Sequence, residues 1–201
     1  MTRQTDAPIE YTNFEIKHER ASSLARMVEE GHLDLNPPYQ RGDVWTLDQR
    51  IRLVESWLRG ISVGSVVLAD RWNSRWRDAD GKPFNPESDP SLACVDGQQR
   101  ITTAKMWFAN EFAVPASWFP PEHVERTEDT EDGPYVRFSY LSRLGRNKMT
   151  LEASIQSETV KTATCLEDEA RIYLLRNTGG TEQSIEDLAN ADRVAAGAPT
   201  T

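Results

Sequence analysis

The sequence lacks the features that mark membrane, secreted and metal-bound proteins. It has no run of about 18 apolar residues, the length that a membrane-spanning helix needs, and its N-terminus lacks the apolar segment of a secretory signal. The two cysteines, Cys94 and Cys165, show no C-x-x-C spacing, so we expect buried free thiols rather than a disulfide framework or a zinc site. These absences predict a cytoplasmic protein without a membrane partner.

The chain also lacks an excess of positive charge. Its 201 residues carry a net charge of −9, whereas proteins that coat nucleic acid electrostatically carry basic patches. The charge is uneven, because residues 41–77 hold seven arginines against four acids and residues 122–132 hold six acids against one arginine. A local basic face is therefore compatible with the sequence. We interpret the acidic run as a solvated loop, since its carboxylates lack the spacing of a calcium loop.

Apolar periodicity predicts one domain that contains both helices and strands and has a C-terminal helical hairpin. Thr46 is a fitting N-cap for a helix with Leu47, Ile51, Val54 and Leu58 on its inner face and Arg50 outside. The other expected elements are helices at 22–30 and after Gly97, a short extended piece at 32–35, strands at 63–69, 92–95 and 135–141, and hairpin arms at 165–176 and 184–190. We expect this domain over residues 14–190, with a flexible N-terminus at 1–13, a mobile acidic loop at 112–134 and a disordered tail at 191–201.

The stretch CVDGQQRITTA places a carboxylate, a glycine, two amides and a guanidinium where a buried strand turns into a helix. Such a turn directs unpaired backbone N–H groups at one point, and the helix dipole makes that point attractive to phosphate. Gly97 can adopt a positive φ, and Arg100 can hold two phosphate oxygens. Asp96 suits a sugar hydroxyl or a phosphate-bridging metal, while Gln98 and Gln99 suit a base or water.

A structural interpretation of the same stretch remains open. Asp96 and the glutamines could simply cap the helix and satisfy the turn. A second candidate junction, Tyr39-Gln40-Arg41, offers another amide and guanidinium, or else a surface salt bridge from Arg41 to Asp43 or Asp48. We expect four tryptophans to pack in the core or at its rim: Trp45, Trp57, Trp107 and Trp118.

Residues 71–77, RWNSRWR, interleave three arginines with two tryptophans. Arginine and tryptophan planes stack on bases while guanidinium groups reach phosphates, so Arg71, Trp72, Arg75, Trp76 and Arg77 are candidate nucleic-acid contacts. The alternative is a hairpin whose tryptophans fold back on the sheet while its arginines are solvated.

Three separated stretches together resemble one known family. In order they are PPYQRGDVWTLDQRIRLVESWLRGISVGSVVLA, CVDGQQRITTA and ARIYLLRNTGGTEQSIEDL. This order resembles the N-terminal domain family of GmrSD-type restriction endonucleases, which is similar to the ParB/sulfiredoxin fold. The resemblance implies a compact α/β (α+β) domain, a small mixed sheet flanked by helices, with the D-G-Q-Q-R turn in a nucleotide-binding pocket. It also implies nucleotide hydrolysis linked to DNA restriction or phage defence.

The resemblance assigns roles to particular residues. Asp96, Gln98, Gln99 and Arg100 become candidate catalytic residues. The candidate nucleotide-binding residues are Gln40, Arg41, Gly97, Thr102, Asn177, Gly179 and Gly180. The implied ligand is a nucleoside triphosphate with Mg²⁺, although the sequence defines no metal ligands.

The sequence also departs from the family. Relatives usually continue into a domain with an HNH nuclease site, and the scattered histidines here give no such site, so we expect no HNH cleavage by this chain. Cys94 lies inside the strand, two residues before Asp96, which argues against a sulfiredoxin-like reductase. Three hypotheses follow: a nucleotide-hydrolysing module, a DNA-binding or regulatory subunit that recruits a separate nuclease without turnover, and metal-dependent DNA nicking by this domain.

Overall fold

The computed structural model describes residues 7–9, 11–40, 42–178 and 193. Five helices lie within these ranges: α1 (Ala21–Glu29), α2 (Leu47–Leu58), α3 (Gln98–Phe108), α4 (Arg143–Glu152) and α5 (Leu166–Thr178). Eight strands accompany them: β1 (Phe14–Arg20), β2 (Leu33–Asp34), β3 (Ser65–Asp70), β4 (Leu92–Asp96), β5 (Val114–Pro115), β6 (Glu128–Thr130), β7 (Gly133–Val136) and β8 (Ser154–Val160). No helix among the described residues is long and apolar enough to cross a membrane.

The main sheet is mixed and five-stranded, in the order β1-β8-β3-β4-β2. β3 pairs with β8 in parallel and with β4 in an antiparallel arrangement, while β1 pairs antiparallel with β8. A smaller sheet has the order β5-β7-β6. The predicted fold class, a mixed sheet flanked by helices, is therefore confirmed.

The central strands are buried on both faces. Val66 and Leu68 belong to the larger core cluster with residues of α1, α2 and α3, whereas Val67 belongs to a second cluster with Tyr39 and Tyr173. Because successive side chains of a strand point to opposite faces, α5 covers one face of the sheet and the other helices cover the opposite face. The apolar run that predicted this strand reflects burial on both sides.

Helix α2 begins as predicted but buries a different face. The Thr46 hydroxyl accepts from the Gln49 backbone N–H, and the Gln49 side chain accepts from the Thr46 N–H, which completes a capping box. Arg50, predicted to lie outside, is buried and donates to Thr103 Oγ1. Leu47, predicted to lie inside, is exposed. The helix is rotated relative to the prediction because the buried Arg50 has polar partners. A prediction from apolar spacing alone does not take such partners into account.

Several other predictions of elements are wrong. The strand expected at 135–141 ends at Val136, and a 3₁₀ turn, Phe138–Tyr140, follows it. The segment expected to be a loop at 112–134 contains β5, β6 and two 3₁₀ turns, and its apolar side chains Phe112, Val114 and Phe119 are buried. The charged or polar elements β1, α4 and β8 were not predicted. The second arm of the expected C-terminal hairpin lies outside the described residues.

Candidate functional site

One cavity of about 260 Å³ joins the three separated stretches of sequence. Gln40 comes from the loop before α2, Asp96 and Gly97 from the end of β4, and Asn177 from the last turn of α5. The full lining is Gln40, Trp45, Asp96, Gly97, Gln98, Gln99, Arg100, Tyr173 and Asn177. Residues up to 137 positions apart in the chain, from Gln40 to Asn177, therefore form one polar site.

The turn from β4 into α3 depends on Gly97. This residue is the N-cap of α3 with φ of 90°, and an added Cβ would lie 2.6 Å from Val66 Cγ1. The N-cap residue Gly97 has no side chain. Among the described residues, the amides of Gln98 and Gln99 bond to Asn36, Gly42 and Trp45, and the Asp96 carboxylate faces Arg176, rather than the backbone of α3. The alternative in which Asp96 and the glutamines cap α3 is therefore wrong. Gly97, Gln98 and Gln99 line the cavity, so the N-terminus of α3, where an anion site can form, borders it.

The two glutamine side chains hold the cavity walls together. Gln98 Nε2 donates to Asn36 Oδ1 at 2.7 Å. Gln99 Oε1 accepts from the Trp45 N–H at 3.2 Å, and its Nε2 donates to the Gly42 carbonyl at 3.2 Å. Both side chains are buried. We expected these amides to contact a base or a water, but they bond within the protein instead. The bonds of Gln99 attach the loop at 42–45 to α3.

Two N–H donors of the Arg100 side chain are also already bonded within the protein. Its Nε donates to the Val63 carbonyl at 2.6 Å and its Nη1 to the Ser65 carbonyl at 3.2 Å. These two donors are therefore not available to bind phosphate oxygens, as we expected Arg100 to do. Because carbonyl oxygens are neutral, the positive charge of Arg100 still contributes to the potential of the cavity.

Gln40 extends the edge of the main sheet. Its Nε2 donates to the carbonyls of Cys94 and Val95, at 3.1 Å and 2.5 Å, just beyond the point where the pairing of β2 with β4 ends at Ala93. The neighbouring Arg41 lies outside the described residues, while Asp43 pairs with Arg50. Gln40 therefore positions one wall of the cavity.

Of the remaining predicted nucleotide-binding residues, one lines the cavity, one does not, and two lie outside the described residues. Asn177 lines the cavity, and its Nδ2 donates to the Tyr173 carbonyl at 2.8 Å. Thr102 is half-buried and does not line the cavity, because it lies on the second turn of α3, away from the Gly97 junction. Gly179 and Gly180 lie outside the described residues.

The structure adds charged residues that sequence reasoning missed. Arg176 Nε lies 3.8 Å from Asp96 Oδ2, and its Nη2 donates to Glu158 Oε1 at 3.0 Å and to Ser65 Oγ at 2.6 Å. The position of Arg176 directly before Asn177 was a usable signal. Glu158 gave none, because its strand is polar and was not predicted.

Two of the expected nucleic-acid contacts are buried instead. Arg71 donates to both Glu169 oxygens, at 2.7 and 2.6 Å, and to Asp34. Trp76 Nε1 donates to the same Glu169 carboxylate at 3.2 Å, and Tyr39 donates at 2.9 Å. The assignment of Arg71 and Trp76 to nucleic acid is therefore wrong, because both are buried and the buried Glu169 carboxylate requires their donors.

The charges of this buried network shift the pKa of its members. Burial lowers the pKa of Arg71, but the hydrogen bonds and charge of Glu169 outweigh this effect and raise it. Burial, together with the Glu169 charge, raises the pKa of Tyr39 well above its usual value. Both shifts favour the forms that donate to Glu169, which are the charged Arg71 and the protonated Tyr39.

The rest of the arginine-tryptophan stretch is exposed. Trp72 is 64% exposed and its ring packs at a tilt against Phe84, with centroids 5.4 Å apart. Arg75 and Arg77 are also exposed, although Arg77 Nη1 donates to the carbonyls of Ser74 and Trp76. Three of the five predicted residues therefore remain accessible to a nucleic acid.

The cysteines and tryptophans largely follow the sequence analysis. Cys94 is fully buried in β4, and burial, with a further contribution from Asp96, raises the pKa of its thiol. Cys165 is only half-buried, contrary to expectation. Trp57 and Trp107 lie in the core, and Trp45 and Trp118 pack at its rim, as predicted. Among the described residues, no three histidine, cysteine or acidic side chains form a group that could hold a metal ion.

Fold and cavity together define a mixed α/β domain with a polar cleft at a strand-to-helix turn. The family model described as GmrSD restriction endonuclease, N-terminal domain, matches residues 23–193. The chain therefore belongs to this family. No curated protein and no solved structure matches the chain.

Proposed function

We propose that this domain binds a nucleoside triphosphate in the cavity at the β4–α3 turn and hydrolyses it during DNA restriction or phage defence. The single observation that supports this proposal best is the convergence of Gln40, the Asp96–Gly97 turn and Asn177 on one polar cavity. The membership of a restriction endonuclease family supports the connection to DNA. A ParB-like nucleotide pocket is the form that we propose for the site.

The cavity residues fit the phosphate end of a nucleotide. The uncapped N-terminus of α3 supplies backbone N–H donors and the positive end of a helix dipole. Arg100 and Arg176 supply positive charge beside it. Asp96 is half-buried in the lining and would hold a sugar hydroxyl or a Mg²⁺ ion bound to the phosphates. In phosphoryl transfer, such positioning and charge stabilisation provide most of the catalysis.

A second candidate function is ligand binding without turnover. The side chains of Gln98 and Gln99, which were the candidates to position an attacking water, already bond to Asn36, Gly42 and Trp45. A domain of this kind would use nucleotide as a switch and recruit a separate nuclease. The third candidate, metal-dependent DNA nicking by this domain, has no structural feature in its favour among the described residues.

A melting-shift screen tests nucleotide binding. Each of the four ribonucleoside triphosphates is added with Mg²⁺ at about 100 times its Kd, where a single site stabilises the protein by about 2.7 kcal/mol and raises Tm by about 5–10 °C. Asp96→Ala should abolish this shift, because it removes the carboxylate that holds the sugar or the metal. Asp80→Ala, in an exposed loop, is the matched control and should keep it.

Phosphate release then separates the first two functions. Release from the nucleotide that binds, stimulated by DNA, supports hydrolysis, whereas binding without release supports the switch. Absence of any shift with all four nucleotides would contradict the proposed function. Nicking of a supercoiled plasmid with Mg²⁺ or Mn²⁺ alone would support the third candidate.

A further inference from the structure

The last turn of α5 places an arginine between two carboxylates at the edge of the cavity. Arg176 Nη1 and Nη2 donate to Glu158 at 3.2 and 3.0 Å, while its Nε lies 3.8 Å from Asp96 Oδ2. Asp96 lines the cavity, and so does Asn177, the residue after Arg176. The guanidinium group therefore lies beside the proposed phosphate site and is already bound to acids.

The register of the main sheet explains why two carboxylates meet this arginine. Glu158 on β8 and Asp96 on β4 are both register partners of Val67 on β3. Side chains directly opposite on neighbouring strands point to the same face, and Val67 packs against Tyr173 of α5. Both acids therefore project towards α5, with Cα atoms about 10 Å apart across β3. Helix α5 ends over this row, with Arg176 in its last turn.

Arg176 differs from the other buried or cavity arginines in its freedom to exchange partners. The Arg71 side chain is 6% exposed and fixed by Glu169, and Arg100 is bonded to two backbone carbonyls. The Arg176 side chain is 41% exposed. The Glu158 side chain is only 15% exposed, so water weakens this ion pair mainly from the Arg176 side. A phosphate, which carries more charge than a carboxylate and accepts two parallel bonds from a guanidinium, is a stronger partner.

We propose that Arg176 binds the phosphate chain of the nucleotide and that Glu158 is its partner when no nucleotide is bound. This inference rests on the proposed nucleotide binding. Binding moves the guanidinium from one anion to another, so Glu158 competes with the ligand for it. When Arg176 moves away from Asp96, the oxygens of the Asp96 carboxylate become free to bind a sugar hydroxyl or Mg²⁺. Glu158 is therefore a positioning residue that lowers nucleotide affinity.

Substitution of the two partners gives effects of opposite sign. Arg176→Ala should weaken nucleotide binding by about 10-fold or more, and Arg176→Lys by less, because lysine retains the charge without the fork. Glu158→Gln should tighten binding by about 3-fold or more, since it removes a competing charge. The Kd is measured by calorimetry on the full chain with Mg²⁺, for the triphosphate with the largest melting shift and for inorganic tripolyphosphate.

A purely structural ion pair predicts something different. If Arg176 and Glu158 only hold α5 on the sheet, both substitutions should weaken binding and lower Tm without nucleotide, and this result would overturn the inference. Unchanged affinity in both variants would also overturn it, while leaving the proposed function in place. Arg171→Ala is the matched control on α5, because Arg171 pairs with Asp168 at the surface and should change neither affinity. If the wild-type chain binds no nucleotide, the proposed function is wrong and the inference falls with it.

Discussion

At the scale of single residues, Gly97 determines whether the candidate site can form. Its φ of 90° lies in the region that residues with a Cβ adopt at a cost, and Val66 leaves no space for that Cβ. The turn brings α3 directly behind β4, so a shift of Gly97 also displaces Asp96 and Gln98. Position 97 therefore requires a residue that adopts a positive φ and that has no Cβ to overlap with Val66.

Gly97→Ala should destabilise the protein by about 2–4 kcal/mol, because conformational strain and a steric overlap add. The measurement is the free energy of unfolding in urea. Gly31→Ala separates the two causes, since Gly31 has a similar φ of 76° but no atom of the described residues within 4 Å of an added Cβ. It should cost only about 1 kcal/mol. Equal losses in the two variants would show that packing against Val66 is unimportant.

The residue types of the site were readable from sequence, but their partners were not. A carboxylate and a glycine between an apolar run and a helical pattern indicated the turn at Asp96 and Gly97. The bonds of Gln99 to the loop at 42–45, and of Arg100 to Val63 and Ser65, join positions more than 30 residues apart. Local sequence patterns carry no information on such contacts. Side-chain donors that bond within the protein were therefore assigned to a ligand.

At the scale of elements, the buried carboxylate of Glu169 fixes α5 to the rest of the fold. It accepts from Arg71 on the loop after β3, from Tyr39 before α2, and from Trp76. Its side chain is fully buried. The network determines where the last turn of α5 lies and hence where Asn177 and Arg176 stand beside the cavity.

Glu169→Gln should lower the free energy of unfolding by about 3–5 kcal/mol, because Arg71 would stay buried with Asp34 as its remaining carboxylate partner. Urea denaturation provides the measurement. Glu167→Gln, two residues earlier on the same helix and half-buried, is the control and should cost less than about 1 kcal/mol. A loss below 1 kcal/mol for Glu169→Gln would contradict the assigned importance of the network.

Elements were predictable where burial is uniform and not where it is mixed. β3 and β4 are short apolar runs because both faces are covered, and α2 carries its capping box in the sequence. β1, with the sequence FEIKHER, is an edge strand with mostly exposed side chains, and β8 is polar although it is paired on both sides. The side chains of β1 are mostly exposed, and the buried Ile155 and Val160 of β8 are separated by polar residues. A hydropathy pattern therefore does not detect these two paired strands.

At the scale of the whole molecule, an acidic protein would contact DNA through a local surface. Among the residues of the RWNSRWR stretch, Trp72, Arg75 and Arg77 remain exposed. They project from the loop between β3 and β4, two adjacent strands of the main sheet. An exposed tryptophan beside two guanidinium groups can stack on a base while the charges meet phosphates.

Arg75→Ala combined with Arg77→Ala should weaken DNA binding and lower the slope of log K against log salt by about 2, because each lost phosphate contact removes about 0.9. Fluorescence anisotropy over a salt series measures both. The control of equal charge is Arg52→Ala with Arg59→Ala. Arg52 lies on α2 and Arg59 is its C-cap residue, and these two exposed arginines pair with acids of the same helix. The same slope change in both double variants would show only a general effect of net charge.

The pairing of β1 with β8 sets a practical boundary for work on this family. The family match begins at residue 23, yet seven residues of β1 pair with β8 ahead of that point. A shortened protein that starts at the match would leave the backbone of β8 open along its length, and an open strand edge recruits other chains. Recombinant fragments of this chain trimmed to residues 23–193 should therefore be recovered largely as insoluble material.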